Sequence, residues 1–282
     1  MEFFKDNSKV NECNNFKSAL LLLTNKTNKV IYQKYESLSK VNNQHKAYLL
    51  FHSNHNDENV EFKKNIRIFP FTNDILEGIG YKAIGEDLLP GNNHFPLLQF
   101  FLENPGYDFY WLIEDDVHYN GKWQDFFTFF LKFSSADFLS SHMNDFNENP
   151  NWYWWNTLFH PKKIILSENK VRSFNPIYRL SNKALEYLHN QLKNGWQGHH
   201  EVVIPTLLKH GGFTIQDFGG LGPYVPENCK NRFYKRIDIN HSSELFANSM
   251  RFKPNIRDLE ITESLLYHPV KFSEKKTFEF DL

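Results

Sequence analysis

Short apolar runs, each bounded by polar residues, recur along the first half of the chain. Their length of four to seven residues is typical of strands buried on both faces of a sheet. They lie at 18–24, 46–52, 66–69, 109–113 and 137–140. Apolar residues at helical spacing fill segments between them, at 28–39, 94–103 and 122–133. We expect the third strand to stop at Pro70, because proline cannot donate a backbone hydrogen bond. The alternation predicts an α/β fold whose central sheet is mostly parallel and flanked by helices.

The second half of the chain is less regular. Ser181 has the side chain of a helix N-cap, and leucines at helical spacing follow it as far as Lys193. A second helix is predicted over 202–208, and a late strand over 213–215. Residues 222–260 show little periodicity, which favours an ordered loop region.

Composition narrows the classes of protein to consider. The 282 residues suffice for one large domain, and the formal net charge of −1 provides no global basic field for nucleic acid. Two cysteines, Cys13 and Cys229, exclude a disulfide framework and fit a reducing compartment. The first residues do not read as a signal peptide, and the longest early apolar run, 19–23, is too short to span a bilayer. We therefore expect one soluble, cytoplasmic domain over 1–282 with no nucleic-acid partner.

Three acids follow the apolar run 109–113 without a break: Glu114, Asp115 and Asp116. Carboxylates at the end of a buried strand cost free energy unless something positive meets them. A divalent cation, Mg²⁺ or Mn²⁺, suits them, and such an ion usually brings phosphates with it. Ligands of open α/β sheets also bind beyond the carboxyl ends of strands. The alternative is a solvated acidic turn in which Asp116 caps the next element.

This hydrophobic strand with its acid triplet resembles the Asp-X-Asp-type motif of metal-dependent GT-A glycosyltransferases. The resemblance implies that Asp116 is a ligand of Mn²⁺ or Mg²⁺. It implies that Glu114 lies near the ribose of a nucleotide sugar and that Asp115 assists. It also implies a GT-A (Rossmann-like) fold, with a nucleotide-sugar-binding half at about 18–140 and an irregular acceptor-side half at about 141–282.

Two further segments match the same family in the same order. The run 199–205 (HHEVVIP) is similar to the segment that carries an acid at the start of a helix beneath the acceptor. The resemblance implies that Glu201 is the general base and that His200 contacts substrate. We expect the helix dipole to keep Glu201 ionised. The run 267–271 (YHPVK) is similar to a C-terminal segment whose histidine ligates the metal, which implies that His268 is a further ligand. Taken alone, Glu201 fits better as an ordinary acid at a helix start, and His268 fits better as a surface histidine.

Contacts to the nucleotide and to sugars are expected from polar and aromatic loop residues. Thr24 ends the first strand, where nucleotide contacts begin in the family, and Asp74 follows the third strand. Both residue types also favour turns for local reasons. Trp154 and Trp155 lie in a run of four aromatic residues and are candidates for a wall that stacks on sugar rings. Packing under a loop is the alternative for them.

A local basic cluster is the candidate for contact with anions. It consists of Lys230, Arg232, Lys235 and Arg236. Such a cluster suits a diphosphate or an anionic lipid-linked acceptor, and the alternative is a solvated face. With a lipid-linked acceptor, the protein would make peripheral contact with the inner face of a membrane.

Taken together, the matches imply an inverting, metal-dependent transferase. The donor would be a nucleotide diphosphate sugar, UDP-linked, with galactofuranose and galactose as candidate sugars. The acceptor would be a hydroxyl of a glycan or lipid-linked glycan in polysaccharide or O-antigen biosynthesis. Two alternatives stay open. One is a non-catalytic carbohydrate-binding protein with a degenerate site. The other is a metal-dependent phosphohydrolase, which is disfavoured because the sequence lacks the second acid cluster that a two-metal site would need.

Overall fold

The computed structural model describes residues 16–53, 62–133, 135–235 and 249–271. The strands are β1 (Ser18–Thr24), β2 (His45–His52), β3 (Ile68–Phe71), β4 (Phe109–Glu114), β5 (His118–Tyr119), β6 (Phe138–Asp145), β7 (Val171–Ser181), β8 (Ile215–Asp217) and β9 (Leu266–Tyr267). The helices are α1 (Lys29–Ser39), α2 (Ile75–Gly78), α3 (His94–Glu103), α4 (Trp123–Phe130), α5 (Asn182–Lys193) and α6 (His200–His210).

Seven strands form the central sheet, in the order β3-β2-β1-β4-β7-β6-β8. The first four of these strands run parallel to one another, and β8 runs parallel to β6. Only β7 opposes its neighbours, pairing antiparallel with β4 on one side and β6 on the other. The expected α/β class, with a mostly parallel central sheet flanked by helices, is therefore confirmed.

Strand β1 shows why the sheet must be covered on both faces. Successive side chains of a strand point to opposite faces, and all seven residues of β1 are buried. Ala19 and Leu21 enter the core beneath α3, α5 and α6. Leu20 and Leu22 enter the core beneath α1 and α4. An uninterrupted apolar strand is stable only in such a three-layer arrangement.

Side-chain caps begin two of the helices, and the cap at Ser181 was predicted from the sequence. The Ser181 hydroxyl accepts a hydrogen bond from the Ala184 backbone N–H at 3.2 Å and so caps α5. Asn28 caps α1 in the same way through Ile31. These contacts satisfy backbone donors that lack a partner inside the helix.

The structure departs from the sequence-based predictions at two strands. Pro70 lies inside β3 instead of ending it; β3 is an edge strand, so its missing N–H removes no ladder bond. The long strand β7 was not expected at all, because Pro176 and several polar residues interrupt its apolar pattern. Pro176 falls where the register of β6 and β7 shifts, between the pairs Leu139–Arg179 and Ser141–Phe174. The break in pairing there lets a central strand accommodate proline.

The C-terminal part of the described chain returns to the sheet edge that carries the acids. Strand β9 pairs antiparallel with β5, which follows the acid triplet by two residues. Within 222–260, the described stretches contain short 3₁₀ turns, as expected for an ordered loop region, while residues 236–248 lie outside the described part. None of the described helices combines the length and the apolar character needed to cross a bilayer.

Candidate active site

A cleft of about 890 Å³ opens beside the carboxyl ends of β1 and β4. Its walls come from the ends of β1, β2 and β4, the loop before α3, the loop that carries Trp152 and Trp154, β7 with the start of α6, and the segment 252–271. This is the edge where ligands of mostly parallel sheets bind. The cleft brings Glu114, Asp116, Glu201 and His268 to one cavity, although the sequence separates the outer two by more than 150 positions.

The acid end of β4 meets His268 in a compact cluster. Glu114, Asp116 and His268 each offer one ligand atom, and these atoms lie within 4.8 Å of one another. The pairing of β9 with β5 places His268 there, because β5 directly follows the acid loop. The backbone N–H of Val270 also donates to the Asp116 carbonyl at 2.9 Å, which holds the two segments together.

The ring of His268 is oriented toward the carboxylates. Its Nδ1 lies 2.8 Å from the Arg251 carbonyl oxygen. A carbonyl only accepts, so Nδ1 carries a proton and Nε2 faces the acids, 3.2 Å from Asp116 Oδ1 and 3.5 Å from Glu114 Oε2. Burial by itself lowers the pKa of His268, but the hydrogen bonds to both acids outweigh it and raise the pKa to about 9.

Lys271 completes the surroundings of Asp116. Its Nζ donates to Asp116 Oδ2 at 2.7 Å. Burial alone raises the pKa of Asp116, but the neighbouring His268 and Lys271 outweigh it and hold the pKa well below its usual range. Asp116 is therefore an anion at neutral pH.

A buried lysine holds the backbone of the acid loop, residues 114–117, in place. Lys34, on α1, is 6 % exposed. Its ammonium donates to the carbonyls of Glu114 at 2.9 Å and Asp115 at 3.3 Å, and also to that of Val117. Burial lowers the pKa of Lys34 to about 8, against the attraction of the nearby carboxylates. The ammonium thus fixes the turn that aims Glu114 and Asp116.

The middle acid points away from this cluster. Asp115 accepts from the Thr24 hydroxyl at 2.7 Å and from Lys26 Nζ at 2.8 Å. Both partners line the same cleft. Thr24 and Asp115, both expected on the nucleotide side, therefore meet at the end of β1. Glu114, for which the resemblance implied a place near a ribose, lies beside Asp116 and His268. The Oε1 atom of Glu114 accepts a hydrogen bond from Asn93 Nδ2 at 2.7 Å.

Glu201 lies in the first turn of α6 and faces the cleft. Its Oε1 accepts from the backbone N–H of Asn175 at 3.2 Å. Burial raises the pKa of Glu201 to about 7, while Arg172 and the Asn175 N–H act in the opposite direction. The helix dipole was expected to keep Glu201 ionised, but desolvation acts in the opposite direction and is the larger effect on its pKa. A carboxyl with a pKa near neutrality can both take and return a proton.

The neighbouring imidazole of His199 is a neutral acceptor. Burial lowers the pKa of His199 to about 3. Its Nδ1 accepts from the backbone N–H of Glu201 at 3.3 Å, which caps α6. The 3.8 Å approach of this nitrogen to Glu201 Oε2 is therefore a contact and not an ion pair. Gly91 permits the close packing: its φ is +112°, and a Cβ there would lie 3.3 Å from the His199 ring.

Aromatic side chains form the wall next to Glu201. Trp154 stacks on His199 at 4.5 Å, and Trp152 packs against Arg172 with 4.9 Å between the guanidinium and the ring centroid. Both tryptophans line the cleft. Trp155 does not: it is 2 % exposed, and its indole N–H donates to the Asn149 carbonyl. The structure places it in the core beneath the loop.

Of the two remaining residues that were expected to contact a ligand, one lines the cleft and the other does not. His200 is buried and lines the cleft. Asp74 does not line it; this residue precedes α2 and lines a separate cavity with Lys193 and Glu103. A ligand bound in the cleft therefore does not reach Asp74.

Several cleft residues were not found from the sequence. They are Asn93, Arg172, Asn175 and Lys271, together with Lys34, which does not line the cleft but bonds the backbone of the acid loop. Lys271 belongs to the motif segment at 267–271 and could have been noticed there. The others lie in a helix, before a helix and in an unexpected strand, where no local pattern marks them.

The residues of the acid cluster fit a divalent cation. Two carboxylates and one imidazole suit Mn²⁺, which accepts mixed oxygen and nitrogen ligands, better than Mg²⁺, which prefers oxygen. Ligating histidines typically donate their second nitrogen to a carbonyl or carboxylate, and His268 donates Nδ1–H to the carbonyl of Arg251. The donor set and the ring orientation both agree with a metal site.

Comparison with known proteins gives distant likenesses. No protein-family model matches the sequence, and no curated protein matches it either. A solved galactosyltransferase, LgtC with donor and acceptor sugar analogs, is 13 % identical with a TM-score of 0.40, covering 73 % of this chain and 76 % of that one. Bifunctional IspDF from Campylobacter jejuni is 12 % identical with a TM-score of 0.39; 76 % of this chain matches 51 % of that chain, about half of its length. Mouse xyloside xylosyltransferase 1 in its apo form is 14 % identical with a TM-score of 0.36, over 74 % of this chain and 88 % of that one. Likenesses with TM-scores below 0.5 leave the function to be argued from the site.

Proposed function

We propose that the protein is a metal-dependent glycosyltransferase of the GT-A type, which moves a sugar from a nucleotide diphosphate sugar to an acceptor hydroxyl. One observation carries the proposal. The cluster of Glu114, Asp116 and His268 shares a cleft with Glu201, a carboxyl whose pKa is raised to about 7. A cation site beside a carboxyl tuned to neutral pH is the combination that sugar transfer from a diphosphate needs.

The donor diphosphate binds at the acid end of β4. When bound there, Mn²⁺ or Mg²⁺ neutralises charge on the leaving diphosphate. Lys26 and Lys271 line the same part of the cleft and add positive charge beside Asp115 and Asp116. The nucleoside lies toward Thr24 at the end of β1. We propose UDP as the nucleotide.

The acceptor lies against α6. Its hydroxyl oxygen attacks the anomeric carbon, Glu201 takes the hydroxyl proton, and the bond from that carbon to the diphosphate oxygen breaks. Attack opposite the leaving group inverts the anomeric centre. The acceptor sugar packs against Trp154 and His200, since aromatic faces suit the apolar faces of sugar rings. Galactose and galactofuranose are the first donor sugars to test, and surface polysaccharides are the first acceptors.

Calorimetric titration with UDP, with and without Mn²⁺, tests the donor side. We expect tight binding only with Mn²⁺, and release of UDP from a panel of UDP-sugars when an acceptor is present. Glycan binding that ignores both UDP and metal would indicate a carbohydrate-binding protein instead. Phosphate release from simple phosphate esters would indicate a phosphohydrolase.

A further inference from the structure

A segment beside the cleft carries an unusual share of exposed apolar side chains. Of the nine large apolar side chains that are exposed in the described residues, four lie within positions 153–166. They are Tyr153 at 75 %, Phe159 at 53 %, Ile164 at 87 % and Leu166 at 57 % exposure. Single exposed apolar residues are ordinary, but a concentration of them marks an interaction surface. We call positions 153–166 the apolar segment.

The charge of the apolar segment is positive. Lys162 and Lys163 are adjacent and exposed, and no acid lies between positions 153 and 166. Neither lysine forms an ion pair within the part of the chain that the structure describes. Apolar side chains next to unpaired lysines match the chemistry of an anionic bilayer surface, which offers acyl chains beneath negative headgroups.

The basic cluster expected from the sequence does not offer that chemistry. Lys230 pairs with Glu227 at 2.6 Å, and Lys235 pairs with Glu263. Arg232 packs over the ring of Phe129 at 3.9 Å. Arg236 lies outside the described residues. The positive charge of this cluster is thus largely used in local contacts.

The apolar segment is tied directly to the wall of the cleft. Phe159 forms two backbone hydrogen bonds with Gln197, each of 3.0 Å. The Thr157 hydroxyl accepts from the His199 backbone N–H at 3.0 Å. Glu201 follows two residues later. A surface that docks on this segment therefore lies next to the acceptor side of the cleft.

We propose that the apolar segment docks on a membrane surface that contains anionic lipid. Phe159, Ile164 and Leu166 enter the headgroup region, and Lys162 and Lys163 meet lipid phosphates. A second copy of the chain suits this surface less well, because a two-fold contact would bring the lysine pairs of both copies together. Given the proposed function, docking here would present a lipid-linked acceptor to Glu201.

Co-sedimentation with phosphatidylcholine vesicles, with and without phosphatidylglycerol, tests the proposal. We expect the full chain to bind only the vesicles that contain phosphatidylglycerol. The Lys162→Gln/Lys163→Gln variant should bind them about fivefold more weakly per lysine, since each basic side chain near an anionic leaflet contributes about 1 kcal/mol. The adjacent, exposed pair Lys63 and Lys64 provides the matched control; its double Gln variant should bind like the parent.

A second pair of variants tests the apolar contribution. Ile164→Ser/Leu166→Ser should abolish binding, whereas Leu259→Ser, at a residue that is 78 % exposed elsewhere, should not. These positions are at the surface, so we expect all variants to unfold at the temperature of the parent. Equal binding to both kinds of vesicle, or equal loss in the controls, would overturn the proposal.

The remaining outcomes separate this proposal from others. No vesicle binding, with a dimer in sedimentation velocity that Ile164→Ser/Leu166→Ser dissociates, would assign the segment to self-association and overturn membrane docking. Vesicle binding is measured without UDP, metal or acceptor. Its success alongside absent transferase activity would therefore refute the proposed function alone, and the reverse result would refute the docking alone.

Discussion

The raised pKa of Glu201 predicts that this residue lowers the stability of the fold. Its carboxyl has a usual pKa of 4.5 and a folded-state pKa of about 7. Above pH 7 the folded protein holds a buried anion that burial disfavours, and the rise corresponds to about 3 kcal/mol at 1.36 kcal/mol per pKa unit. The side chain is 14 % exposed, so about 2–3 kcal/mol is the expected magnitude.

The sign of this contribution follows from proton linkage. The folded state binds the Glu201 proton more tightly than the unfolded state does, so the penalty is absent below pH 4.5. It grows between pH 4.5 and about 7 and is complete above that range. The neutral Glu201→Gln variant should therefore match the parent protein in acid and exceed its stability by about 2–3 kcal/mol at pH 8.

Urea unfolding of both proteins at pH 5 and pH 8 measures the effect. We expect a difference below about 1 kcal/mol at pH 5 and the full difference at pH 8. Glutamine can still accept the Asn175 N–H through Oε1, so the fold should be preserved. An unchanged or reversed difference between the two pH values would refute the argument that burial raises the pKa of Glu201, whatever reaction the protein catalyses.

The same substitution separates stability from turnover. If Glu201 is the base, Glu201→Gln should lower kcat by about 10²–10⁴-fold while stabilising the fold. In the parent, kcat/KM should rise about tenfold between pH 6 and pH 8 as Glu201 ionises. A parent profile that is flat over this range would place the base elsewhere.

Three further predictions concern other side chains of the site. Asp116→Asn should weaken Mn²⁺ binding at least tenfold by calorimetry, while Asp115→Asn, whose side chain faces Lys26, should change it less than threefold; equal effects would contradict the assignment of Asp116. Lys34→Met should lower the free energy of unfolding by about 2–3 kcal/mol in urea, because three carbonyls lose a charged donor, and an unchanged midpoint would show that this support is dispensable. Trp154→Ala should raise the acceptor KM about tenfold with kcat little changed, as expected for loss of one stacking face, and a change confined to the donor KM would reassign that wall.

Sequence patterns of short range located the central elements well. The apolar runs at β1, β2 and β4 are strands because every side chain in such a run must find a covered face. The cap at Ser181 is equally local, since its hydroxyl meets a backbone N–H three residues away. The acids at the end of β4 were predicted to form a cation site from an equally local pattern. Three carboxylates beside a buried strand need positive partners.

Strand β7 shows where such patterns fail. It contains Arg172, Asn175 and Arg179, all less than 5 % exposed, and a proline between them. Tertiary contacts hold two of these polar side chains, Arg179 and Asn175. Arg179 donates to the carbonyls of three residues near the end of α4, and the Asn175 amide bonds Ser140, Ser173 and the His200 carbonyl. Most of these partners are remote in the sequence, so no local pattern predicts them.

Local sequence patterns predicted β1, β2, β4 and the helix that Ser181 caps, and they marked the acids after β4 as a candidate cation site, because these features depend on side chains close to one another along the chain. The tertiary structure alone decided that Glu114, and not Asp115, joins Asp116 and His268. It also decided that burial shifts Glu201 toward neutrality. Both outcomes depend on how far each carboxylate lies from solvent and from cations that the fold brings from remote parts of the chain, and Coulomb and desolvation energies follow those distances and not positions along the sequence.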